Sequence, residues 1–69
     1  MEHRNYFLSQ YNEIHENLNS LEKEINLHLE SKIEIMEDDE VLKNLNFRVI
    51  NEINRLEKTR EHEREIFNY

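Results

Sequence analysis

The 69-residue chain predicts an all-α fold: an antiparallel helical hairpin of coiled-coil type, expected to dimerise into a four-helix bundle. Three observations carry this reading. The chain has no Gly and no Pro, so it lacks the residues that punctuate turns and β-hairpins. Apolar residues recur at steps of three and four along nearly its whole length, the period of one helix face. The apolar ladders of its two halves also match when the chain is folded back on itself.

The first helix is expected over residues about 3–34. Its ladder runs Phe7, Tyr11, Ile14, Leu18, Leu21 and Ile25. The next heptad step is His28, but Leu29, Ile33 and Met36 continue by fours, a stutter in the repeat. A turn is expected at about 35–39, where Asp38 or Asp39 can cap a new helix and Glu40 suits its positive end. Ser31 and Glu34 have capping-box spacing, which allows the break to begin near 31.

The second helix, about 39–67, carries Leu42, Leu45, Val49, Ile53 and Leu56, then Arg60, Glu63 and Phe67. Folding at residue 37 sets Leu29 against Leu45, Ile25 against Val49, Leu21 against Ile53, Leu18 against Leu56 and Phe7 against Phe67. Two layers break the apolar pattern. Tyr11 and Ile14 face Glu63 and Arg60, a polar seam of the kind that sets register or partner choice. A single straight helix of about 100 Å, at 1.5 Å per residue, is the alternative architecture.

A chain this short forms one domain over residues 1–69 and is marginally stable by itself. Without Cys it has neither disulfides nor thiolate metal sites, so association is the expected reinforcement. The net charge of −7 argues against nucleic acid or an anionic membrane as main partner. Residues 1–31 carry −4, residues 32–40 another −4, and residues 41–69 carry +1. That asymmetry suits two helices lying side by side. No signal-peptide pattern or membrane-length apolar run is visible, so a cytoplasmic location is expected.

Catalytic chemistry is hard to place. His3, His15, His28 and His62 lack the Glu-x-x-His spacing of a bundle metal site, and no metal or cofactor is expected. Ser9, Ser20, Ser31 and Thr59 sit in no turn that would activate a nucleophile. The Glu37–Glu40 cluster lacks the alternation and Gly of a calcium loop. Basic residues Arg48, Arg55, Lys58, Arg60 and Arg64 are interleaved with Glu52, Glu57 and Glu61, which favours pairing within the bundle.

The most specific functional hint is apolar residues off the core face. Phe47 and Ile50 form a second short stripe on the second helix, and Leu27 is displaced on the first. Together they predict a dimer or partner surface. The expected function is a small non-catalytic regulatory or adaptor module acting through a helix face, as a homodimer with a further protein partner. The alternative is a nucleic-acid-related regulator, either an RNA-binding bundle or an acidic mimic of nucleic acid. In outline the chain is similar to plasmid copy-number RNA-binding hairpins and to sporulation aspartyl-phosphate phosphatases. The Ser-Gln-x-x-Asp signature of the phosphatases is missing from Asn44-Leu45-Asn46-Phe47-Arg48, and no family is assigned.

Overall fold

The computed structural model describes residues 2–31 and 39–67, with side chains from residue 4 onward. Two helices, α1 (Glu2–Glu30) and α2 (Glu40–Ile66), pack against each other as an antiparallel hairpin. Each is roughly 40 Å long at 1.5 Å per residue, and the hairpin measures 52 × 17 × 13 Å. Most of the turn expected at 35–39 lies outside the described residues, as do Ile33 and Met36 of the first ladder.

α1 ends at Glu30. Ser31 closes it, its amide bonding Leu27 O at 3.1 Å and its hydroxyl bonding His28 O at 2.8 Å. The helix thus ends near residue 31, one of the two places expected, while Glu34 of the capping-box spacing lies outside the described residues. Asp39 caps α2: its Oδ1 accepts from Leu42 N at 3.1 Å, which satisfies one of the orphan amides of the first turn.

On α1 the seam follows an unbroken heptad line. Phe7, Ile14 and Leu21 are buried, and Tyr11, Leu18, Ile25 and His28 are half-buried between and beyond them. His28 takes the next heptad position, with Leu29 half-buried at its side. The expected stutter is thus only partial.

On α2 the sequence reading needs correction. Leu42, Leu45, Val49, Glu52, Arg55, Leu56, Thr59 and Glu63 are the buried or half-buried positions, while Ile53 is 42% exposed and Arg60 is exposed. Glu52 and Thr59 replace Ile53 and Arg60 in the seam. The reason is geometric. Leu42, Val49, Leu56 and Glu63 recur every seven residues and hold one direction. A second consecutive step of four from Val49 carries Ile53 off that direction. Asn17 donates from Nδ2 to Glu52 Oε1 across the seam at 3.1 Å.

The open end is closed by an aromatic cluster. Phe7, 1% exposed, meets Phe67 edge-on at 5.9 Å and the His62 ring at 5.5 Å. Such edge-to-face pairs add about 0.5–1.5 kcal/mol beyond area burial.

At the turn end His28 Nε2 donates to Asp39 Oδ2 at 2.7 Å, with both side chains largely buried. One carboxylate thus caps α2 through one oxygen and ties it to α1 through the other. Asp39→Ala should therefore destabilise the fold by about 2–4 kcal/mol, losing a cap and a charge-assisted hydrogen bond. Asp39→Ser, which keeps the cap alone, should fall between Asp39→Ala and the native chain in urea melts. An Asp39→Ser midpoint equal to that of the native chain would show that the His28 bond contributes nothing.

Candidate interaction surfaces

The seam has two unlike edges. Along one, polar side chains bridge the helices. Arg48 meets Glu24 at 3.3 Å, and Arg55 meets Glu13 at 3.1 Å while donating to Gln10 Oε1 at 2.8 Å. The hydrogen bond to Glu13 pushes the Arg55 guanidinium above its already high value, against partial desolvation. Glu52 Oε2 is buried without a hydrogen bond, although Arg55 Nη1 stands 3.8 Å away. Exposed pairs of this kind contribute little stability but bias register.

The other edge carries one bridge, between Tyr11 and Glu63, among the described residues. The Tyr11 hydroxyl donates to Glu63 Oε1 at 2.8 Å, and both side chains are half-buried. Ile14 is fully buried at the centre of the seam. Arg60, expected opposite Ile14, lies outside the seam on this edge. Arg60 is exposed, and Thr59 beside it holds the half-buried position. Thr59 satisfies its own hydroxyl by bonding Arg55 O at 2.8 Å. Tyr11 and Glu63 thus meet, and Arg60 stands beside them.

At the open end this edge widens into a surface hollow of about 470 Å³, lined by Arg4, Arg60, Glu63, Arg64 and Phe67. Sequence reasoning missed Arg4, since no periodic signal linked it to the second helix. The helical spacing does place it: Arg4 lies one heptad before Tyr11, on the same edge.

The residues predicted for a partner surface fall in two places. Phe47 is 61% exposed and Ile50 54% exposed on the outer side of α2, and Ile53 extends them toward the seam. The Phe47–Ile50–Ile53 stripe at three-residue spacing was only half visible in the sequence, because Ile53 was assigned to the core. Leu27, also exposed, sits on the opposite edge. There it lines a shallow hollow with Val41, Leu45 and Arg48.

Among the described residues no group of three or more His, Asp or Glu side chains gathers as a metal site would require. Three histidines have protein neighbours instead: His28 has Asp39, His62 has Phe7, and His15 lies 3.3 Å from Asn19 Nδ2. The His3 side chain lies outside the described residues. Among the described residues no helix is long and apolar enough to cross a membrane.

The Tyr11 phenol is pushed above its ordinary value of 10.0, chiefly by burial, then by its hydrogen bond to Glu63 and that carboxylate's charge; Arg60 pulls the other way. The folded state therefore holds this proton more tightly than the unfolded chain. The associated stability is fully present below about pH 10 and is lost as pH rises through the folded value. Tyr11→Phe should flatten the alkaline fall in thermal midpoint above that pH. An unchanged alkaline profile would exclude Tyr11 as its source. Compared with family models, curated proteins and solved structures, the chain matches none.

Proposed function

We propose that the hairpin is a non-catalytic interaction module that self-associates through the outer face of α2, forming a four-helix bundle that serves as a regulatory or adaptor unit. The observation that carries this reading is unfinished burial. The chain exposes 5997 Å² at 8.6 kDa. A compact monomer of that mass exposes about 4,700 Å². The excess, about 1,300 Å², is larger than the roughly 800 Å² each partner gives to a standard interface.

Within that excess, Phe47, Ile50 and Ile53 line up on one side of α2, while few apolar side chains are fully buried. The occupant favoured is a second copy, because the stripe is self-complementary about a two-fold axis. It lies near the middle of α2, so two antiparallel α2 helices would overlap along their full length. A parallel pair would instead stack Arg60 and Arg64 of one copy on those of the other.

Sedimentation should show a dimer at micromolar concentration, and the melting temperature should rise with concentration. Phe47→Glu and Ile50→Glu should each shift the chain toward monomer while retaining its helicity. A native chain that sediments as a monomer at every concentration would end the self-association reading.

A further inference from the structure

We infer that the open end of the hairpin is a docking site for a short carboxylate-rich segment of another protein, held by Arg4, Arg60 and Arg64. Arg4 comes from α1 and the other two from α2, so the cluster exists only when the hairpin is closed. All three line the same hollow of about 470 Å³. Among the described residues none of the three makes an ion pair or hydrogen bond; the same holds for Lys23 and Lys58, which stand apart from the hollow, whereas Lys43, Arg48 and Arg55 each have a carboxylate within 4.0 Å. The acid lining the hollow, Glu63, is engaged by Tyr11. Arg64 is in the last turn of α2, where a cation is favoured by the helix dipole. That accounts for one guanidinium and leaves the convergence of three unexplained by stability.

The ligand class follows from the extent and lining of the hollow. On a chain of net charge −7, the lining residues alone sum to +2, three arginines against Glu63. This positive patch is confined to one end. Farther along the same edge come Glu57 and Ile53, one heptad before Arg64 and Arg60. A nucleic-acid strand would need a longer basic track than this. A small inorganic anion would find three solvent-exposed guanidiniums and a half-buried aromatic wall, Phe67, that offers it no donor. A short peptide with two or three carboxylates and one apolar side chain uses every part of the lining, the forked guanidiniums for its acids and Phe67 for its apolar group.

This inference takes the interaction-module reading as its frame but uses different residues from the α2 stripe, so the two fail separately. The test uses the full chain and a fluorescein-labelled peptide of about 12 residues, rich in Glu with two Leu. Saturable anisotropy binding is expected at low salt and should weaken as salt rises past physiological strength. Arg60→Gln with Arg64→Gln should weaken binding about tenfold or more, and Arg4→Gln should add to the loss. Lys23→Gln with Lys58→Gln makes the same charge change away from the hollow and should alter affinity less than about twofold. Circular dichroism checks that each variant keeps its helices. No saturable binding, an equal loss in the lysine variant, or displacement by pyrophosphate or an RNA oligomer at lower concentration than by unlabelled peptide would each overturn the assignment. Sedimentation of the same samples separates this outcome from failure of the dimer. Peptide binding by a monomeric Phe47→Glu chain would support the site independently of self-association.

Discussion

Two helices about 40 Å long touch along one line, so each offers its partner roughly two residues in seven for burial. In this hairpin that limit leaves Phe7, Ile14, Leu21 and Leu45 as the buried apolar side chains among the described residues. A core of this size supplies little of the burial that offsets the ordering of nearly 60 residues. The direction of the two helices, the identity of their polar seam positions and the apolar side chains left outside all follow from having a single line of contact.

A narrow seam tolerates polar groups where they find partners at its margin. His28 and Asp39 show the favourable case, since the Asp39 carboxylate must be near the start of α2 to cap it and the seam delivers His28 to its second oxygen. Glu52 is the less favourable case. Asn17 bonds one of its oxygens, while the other is buried with only the more distant Arg55 guanidinium nearby. A Leu there would pack better, but it would also widen the apolar band toward Ile53 and blur which face is the seam. In several systems a polar residue at such a position trades stability for register. In this hairpin Asn17 and Glu52 stand at the middle of the seam and Tyr11 and Glu63 in the half farther from the turn, where a slip would be least constrained by the connection.

Much of this was legible in the residues and some was not. The absence of Gly and Pro and the two ladders point to two helices. Phe7 and Phe67 fall together when the ladders are matched, as they do in the structure. The type and place of Asp38 and Asp39 before Glu40 mark both as cap candidates, and Asp39 is the one that caps α2. The face of α2 was misread beyond Val49 because apolarity was the guide there: Ile53 looked like core and Glu52 like surface. The two are adjacent in sequence and about 100° apart on the helix, so the preference of a side chain and the direction of the heptad line disagreed. The line prevailed, since four positions seven residues apart outweigh one apolar residue. Arg60 was drawn into the seam by the same error. Arg4 stands one heptad before Tyr11 but is not apolar, so the ladder did not extend to it, and the closing of the hairpin places it beside Arg60 and Arg64.

The two edges of the seam divide labour in a way that bears on function. On the edge of Glu13, Glu24, Arg48 and Arg55, charges are spent on one another, and an incoming partner would have to displace them. On the other edge, basic side chains at the open end and apolar ones at mid-helix have no such internal partners among the described residues. A surface built only for solvation would interleave Glu and Lys there, as the outer face of α1 does at Glu22 and Lys23. Keeping Phe47, Ile50 and Ile53 in water carries a solubility cost for an isolated 69-residue hairpin, and an associated one avoids that cost by covering them. The unequal edges are the asymmetry on which the proposed self-association through α2 rests.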